Sequence, residues 1–361
     1  MSTNQQKMMR MERPERTTIS EVAEALNLTK STVSRAMNGY ADISDSTQAR
    51  VKQMALKMNY QPLSHAQAIK TGRTRSLGLV LQLSDHDAHR PFLAEFLAGV
   101  SAGASGEGYT LTLASADSGS AVLESFKALL KDGKADGFVL PRAMVDDPRV
   151  AFLKNLNVPF VLYGRQSRSA DCAWFDIRGE DAMCQAVSHL ARLGHQRVAF
   201  INGGSQYTYA ALRLQGFERG MALNGLSVDR ELISDNAVTQ EDGLRAAAKL
   251  IDLQNPPTAI VCAVDQVALG AYHAAKSRGL VIGLDLSITG YDGIADGARA
   301  EPPLTTFAVD SSAAGERLAT LLIRRIRGES PEQLRETEEA KFLIRGSTGP
   351  MRDKRPFKQD V

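Results

Sequence analysis

The spacing of apolar residues divides the chain into two textures. Near the start, apolar positions recur at helical intervals. Ile19, Val22, Ala23 and Leu26 fall on one face of a predicted helix, opened by a Thr18/Glu21 capping box. Thr29 is placed to cap a second helix, from Lys30 to about Met37, whose apolar face is Val33, Ala36 and Met37 and which Gly39 stops. A third begins near Asp45 and aligns Val51, Met54, Ala55 and Met58. Three such short helices predict one small all-α core over residues 17–61.

Pro62 ends that pattern. The following "PLSHAQAIKTGRTRS" holds one or two turns of helix at most, from Leu63 to Lys70. Nucleation makes an isolated helix that short marginal in water, so residues 62–75 are expected to order only on a partner. From Leu77 the texture changes to strand-sized apolar runs separated by helical stretches: "LGLVLQL", "YTLTLAS", "DGFVLP", "VPFVLY", "RVAFING", "AIVCAV" and "LSITGYD". This alternation predicts βαβ units with parallel sheets, and the number of runs exceeds what one compact sheet needs. Two doubly wound α/β lobes over residues 76–346 are therefore expected. Residues 1–16 are polar and aperiodic and read as a disordered leader, and residues 347–361 as a tail without a heptad pattern.

Composition adds exclusions. With 43% hydrophobic and 23% charged residues in 361, the chain is ordinary for a globular protein. No apolar run approaches the roughly 18 residues of a membrane-spanning helix, and the basic N-terminus lacks the apolar stretch of a secretory signal. Cys172, Cys184 and Cys262 are odd in number and lack metal-ligand spacing, so reduced thiols in a cytoplasmic protein are expected, with no metal or cofactor. Net charge is only +2, but residues 1–75 hold 12 Lys and Arg against 6 Asp and Glu. A small basic module on a mildly acidic body is a footprint of nucleic-acid binding.

The second helix sharpens that inference. Two helices joined by a three-residue turn form a helix-turn-helix, whose second helix enters the major groove. Lys30, Ser31 and Arg35 would then face base edges, where Arg or Lys donates to guanine and Ser serves either base type. Thr18, Thr29, Thr32, Ser34 and Asn38 would meet phosphates. On spacing and charge alone, the same face fits a solvated helix of an ordinary bundle equally well. No nucleophile elbow, zinc-hydrolase pair or phosphate loop is present, so no enzyme is expected.

"TTISEVAEALNLTKSTVSRAMNG" followed by "RVKQMALKMNYQPLSHAQAI" resembles the head of the lactose-repressor (LacI/GalR) family of bacterial transcription regulators. In the body, "HLARLGHQRVAFI", "RLQGF", "DQVALGA", "GYDG", "PPLTTF" and "FLIRGSTGP" resemble further family signatures in order. The resemblance runs from Thr17 to Met351. It implies a hinge helix that folds on DNA, with Ile69 where the family usually has a minor-groove leucine, beside Lys70 and Ala66. His65 stands where relatives generally carry an apolar residue.

For the body, the resemblance implies a periplasmic-binding-protein-like pair of lobes around an effector. Arg213 falls on the family's arginine for sugar hydroxyls, Asp292 on its acidic partner and Phe92 on an aromatic that lies against the effector ring. Gln82 and Arg142, at strand ends, and Arg165, after "VLYG", are further candidates for the cleft. Asp265 is a candidate contact in "DQVALGA", although Val264 replaces the asparagine that often precedes it. The expected protein is a homodimeric regulator, most simply a repressor, of near-palindromic operator DNA, controlled by a small polar effector such as a carbohydrate. The alternatives are a constitutive DNA binder with a vestigial cleft and a solute-binding transport component.

Overall fold

The computed structural model describes residues 17–60, 73–82, 92–165 and 171–352. The chain divides into two compact units, residues 1–74 and 75–361. The hinge candidates Ala66, Ile69 and Lys70 lie outside the described residues.

In the first unit, helix α1 (Ile19–Ala25) opens with the expected capping box: the Glu21 carboxylate accepts from the Thr18 N–H at 2.6 Å, and Thr18 Oγ1 accepts from the Glu21 N–H at 3.4 Å. The turn passes through Asn27 at φ 53°, a left-handed conformation that Asn tolerates better than most residues. Helix α2 (Lys30–Met37) starts from Thr29, whose hydroxyl accepts from the Thr32 N–H at 3.1 Å. Helix α3 (Asp45–Lys57) is capped by Ser44. Gln48 instead ties down the preceding loop, donating to the carbonyls of Tyr40 and Ile43 at 3.1 and 3.0 Å. Val22, Ala23, Val33, Ala36 and Val51 form the shared core, and Met37, Met54 and Met58 close over it.

The second unit carries two parallel sheets. The first lobe orders its strands β11-β5-β4-β3-β1-β2, from β1 (Ser76–Gln82), β2 (Thr110–Ala116), β3 (Gly137–Leu140), β4 (Phe160–Tyr163), β5 (Ala173–Ile177) and β11 (Arg335–Glu338). The second orders β7-β6-β8-β9, from β6 (Val198–Ile201), β7 (Ile233–Ser234), β8 (Ala259–Cys262) and β9 (Ser287–Thr289). All seven runs seen in the sequence are strands. β5, β7 and β11 were not legible as runs, being short or interrupted by charge. An antiparallel pair, β10 (Thr306–Ala308) with β12 (Lys341–Leu343), accompanies the strand passages.

Apolar side chains cover both faces of each sheet, as parallel sheets require. The chain passes between lobes after β5, after β10 and after β11. After the second passage, helix α12 (Ser311–Ile326) packs on α4 (Phe92–Gly106) so closely that a Cβ on Gly99 would fall 2.0 Å from the Ser312 carbonyl oxygen. Between α4 and α12 in sequence lie α5 (Gly119–Lys131), α6 (Pro148–Asn155), α7 (Gly179–Arg192), α8 (Thr208–Leu223), α9 (Gln240–Ile251), α10 (Asp265–Lys276) and α11 (Ala295–Arg299). Cys172, Cys184 and Cys262 are free thiols. Residues 347–351, assigned to the tail on sequence, are stitched into the second lobe: buried Ser347 donates to the Ile288 carbonyl at 2.6 Å, and the Met351 N–H donates to the Leu193 carbonyl at 2.8 Å. Among the described residues no helix is long and apolar enough to cross a membrane.

Candidate functional site

Helix α2 keeps Val33 and Ala36 buried and turns Lys30, Ser31 and Arg35 outward. Thr29 and Asn38 are also exposed, and Thr32 and Ser34 are half-buried. The polar residues are locally organised: the Thr29 and Thr32 hydroxyls share a hydrogen bond at 2.9 Å, and the Asn38 amide donates to the Ser34 carbonyl. Arg35 pairs with Asp42 and lies over the Tyr40 ring, with Cζ 5.3 Å from its centre. Sequence reasoning passed over Tyr40 and Asp42, which sit in the loop after α2 without a periodic signal.

In the body, a cavity of about 450 Å³ lies between the lobes, bordered by residues at the carboxyl ends of strands. Gln82, Arg142, Arg213 and Asp292 all line it. Phe92 is the first residue of α4, and its side chain lies outside the described residues; Leu93 and Phe96 of that helix border the cavity. Arg213 comes from α8, nine-tenths buried, with its Nη1 donating to the Ala263 carbonyl at 2.5 Å. Its guanidinium lies over two rings, with Cζ 3.8 Å from the centre of Tyr291 and 4.5 Å from that of Tyr209.

Asp292 has φ 121°, a left-handed backbone region that costs a non-glycine residue about 1–3 kcal/mol. Hydrogen bonds on both sides hold it there: its N–H donates to the Phe307 carbonyl at 2.9 Å, and its carbonyl accepts from the Val309 N–H at 3.2 Å. Arg142, which also lines the cavity, is left-handed too, at φ 52°.

Asp265 is a correction to the sequence reading. It is fully buried and absent from the cavity lining. Oδ1 accepts from the Thr306 hydroxyl at 2.6 Å, and Oδ2 from the N–H groups of Gly293 and Ile294 at 2.8 and 2.9 Å. It braces the loop that carries Asp292. Burial pushes its carboxyl above the usual range, against the pull of these bonds. Val264, just before it, presents an apolar surface to the cavity. Arg165 is also outside the lining; it pairs with Glu180 and lies 3.3 Å from Asp176 Oδ2.

Asp176 is the residue the sequence reading missed. It is 8% exposed, lines the cavity near the end of β5, and burial raises its carboxyl to about 6 despite the opposing charge of Arg165. Recognising "AWFDI" as a strand would have flagged it by the strand-end rule. Tyr163, Tyr209 and Tyr291 were missed for a different reason: each reads as core in one dimension. Burial holds the hydroxyls of Tyr163 and Tyr291 above the ordinary tyrosine range, so both remain protonated.

One wall of the cavity joins the two lobes. Met144 of the first lobe and Tyr207 of the second form an antiparallel bridge. The Val145 N–H donates to the Gln206 carbonyl and the Thr208 N–H to the Ala143 carbonyl, each at 3.0 Å. Arg142 lies over the Tyr207 ring at 5.9 Å.

A helix-turn-helix unit followed by a two-lobed body with a polar interlobe cavity defines a ligand-responsive DNA-binding regulator. Residues 18–63 match the family of bacterial regulatory proteins, lacI family, and residues 187–348 match the periplasmic binding protein-like domain. The HTH-type transcriptional regulator AglR of Rhizobium meliloti (strain 1021) is 35% identical, across 94% of this chain and 96% of its own. A transcriptional regulator CelR–cellobiose complex superposes with TM-score 0.72 at 29% identity, over 92% of this chain and 100% of that one. The lac repressor dimer bound to operator and the anti-inducer ONPF has TM-score 0.76 at 23% identity, over 93% and 100%, a likeness of fold. The chain belongs to the LacI family of transcription regulators: it is a DNA-binding regulator and not an enzyme.

Proposed function

We propose that the protein is a homodimeric repressor in the cytoplasm that releases or grips near-palindromic operator DNA according to a sugar or sugar derivative held between its lobes. The convergence of Arg213, Asp176 and Asp292 with tyrosine rings in one interlobe cavity carries this reading. A guanidinium donates, carboxylates accept, and adjacent hydroxyls of a sugar do both. The cellobiose complex of a relative supports the same ligand chemistry.

In the head, Lys30, Ser31 and Arg35 are the base-reading residues, and Thr18, Thr29, Thr32, Ser34 and Asn38 the phosphate contacts. Ile69, with Lys70 and Ala66, is the hinge element that wedges the minor groove at the operator centre. Two-fold symmetry would set two α2 helices in major grooves one helical turn or a multiple apart. Gln82 and Arg142 complete the polar rim of the cavity. The effector acts through its differential affinity for two states of the dimer, typically about 1–3 kcal/mol of coupling.

The test is calorimetric titration with mono- and disaccharides, followed by operator binding with and without each ligand that gives heat. A ligand that binds and shifts operator affinity about 5- to 150-fold is the expected outcome. Absence of heat across the panel would sink the sugar reading and favour a vestigial cleft.

A further inference from the structure

The charges around the cavity separate one class of sugar from another. Among the described residues three guanidiniums border it, those of Arg142, Arg149 and Arg213, and no lysine does. Arg149 is committed within the protein. It meets Asp147 at two points, Nε to Oδ1 at 2.8 Å and Nη2 to Oδ2 at 2.7 Å, and donates to the carbonyls of Pro141 and Arg142, each at 3.0 Å. The Asp147 side chain has no exposure, so this pair offers a ligand no net charge. Arg213 donates to the Ala263 carbonyl and lies over the rings of Tyr209 and Tyr291. Against Arg142 and Arg213 stand Asp176 and Asp292. Behind Asp176, Arg165 is shared with Glu180. Once Arg149 is set against Asp147, two guanidiniums and two carboxylates remain among the described lining residues, equal in number.

A phosphate or carboxylate site is built differently. It needs positive charge in excess, or N–H groups with no acid beside them, because an anion can only accept hydrogen bonds. Here Asp176 and Asp292 line the same partly enclosed cavity as the guanidiniums, so an anionic ligand group would meet opposing charge. A hydroxyl meets no such opposition, because it donates to a carboxylate and accepts from a guanidinium. Asp176 is the stronger barrier of the two, since it is the more enclosed: the same burial that lifts its carboxyl to about 6 reduces the screening of its charge.

We infer that the cleft is built for an uncharged polyol, a sugar carrying neither phosphate nor carboxylate, and that Asp176 is the residue that turns anionic sugars away. This rests on the sugar reading above and narrows it. Like charges a few ångströms apart at an effective dielectric near 20 are enough to weaken an anionic sugar about 30-fold or more against its neutral parent.

The experiment is calorimetry on the full-length protein with matched pairs: sucrose and sucrose 6-phosphate, trehalose and trehalose 6-phosphate, maltose and maltose 6′-phosphate, cellobiose and cellobiose 6′-phosphate. At least one neutral sugar should bind, with its phosphate about 30-fold weaker or worse. In Asp176→Asn that gap should shrink about tenfold, even as the neutral sugar loses affinity. Asp292→Asn is the second variant should the first not fold, and it should shrink the gap in the same direction. Operator binding by both variants reports that they are folded. A phosphorylated sugar binding as well as its neutral parent, or a gap unchanged in both variants, would overturn the inference while leaving the sugar reading standing. Silence from every sugar, charged or neutral, would remove both.

Discussion

The Cζ atom of Arg213 lies 3.8 Å from the centre of the Tyr291 ring. A guanidinium that close is fixed in plane and direction, and its remaining donors are aimed before a ligand arrives. Arg213→Ala should lose about 2–5 kcal/mol of effector binding and with it the effector response, while operator binding is retained. Arg213→Lys should fail to restore it, because an ammonium cannot reproduce the stacked fork. Calorimetry and operator mobility-shift assays on the two variants check this, and a preserved response in Arg213→Ala would remove the residue from the site.

Asp265 should behave as a brace. Asp265→Ala leaves the Thr306 hydroxyl and the Gly293 and Ile294 N–H groups without their acceptor in a dry interior. Unfolding of the body in urea should become easier by about 3 kcal/mol or more. A variant of unchanged stability that had lost only effector affinity would return Asp265 to the ligand contacts.

The raised carboxyl of Asp176 predicts a pH dependence. In the folded chain it holds its proton up to about 6, against an ordinary value of 3.8. Between those values the native state binds more protons than the unfolded one, so this group's contribution falls as pH rises through the window and stays low above it. Asp176→Asn lacks that loss. Its stability relative to the parent should improve by on the order of 3 kcal/mol between pH 4 and 7, measured by urea unfolding at each pH. A difference that stays flat with pH would show that Asp176 ionises normally.

Arg35 is tethered only weakly. Its ion pair with Asp42 is about half-exposed on both sides, and such pairs contribute roughly 0–1 kcal/mol, little enough for DNA to displace. Arg35→Ala should cost about 1–3 kcal/mol at one operator base pair and relax preference there. Asp42→Asn should tighten binding modestly and uniformly across sequences, since it removes a charge that repels phosphate and competes for Arg35. Titrations over single-base operator variants at fixed salt distinguish the two patterns. Equal loss at all operator variants in Arg35→Ala would make it a phosphate contact.

Much of this protein was legible before folding because its elements declare themselves by period. The Thr18/Glu21 box, the Val33–Ala36–Met37 face and seven apolar runs each came from local pattern, and each is an element of the structure. What escaped was set by tertiary context. Strand β11 is the polar "RETE" at a sheet edge, where only one side needs cover. Strand β5 carries Asp176 among apolar neighbours, so the charge that breaks the pattern is also the one that lines the cavity. Asp265 misled in the opposite sense. A carboxylate just past a strand end is placed like a ligand contact, and only the folded loop shows it turned toward Thr306.

The bridge between Met144 and Tyr207 has an evolutionary corollary. Its two linking hydrogen bonds begin and end on main-chain atoms, so substitution at Ala143, Gln206 or Thr208 changes what the cavity wall displays while leaving those two bonds in place. Side chains that choose a ligand can drift while the mechanical connection between lobes is inherited intact. A scaffold of this kind can acquire a new ligand by point mutation alone, with the joint between its lobes already in place.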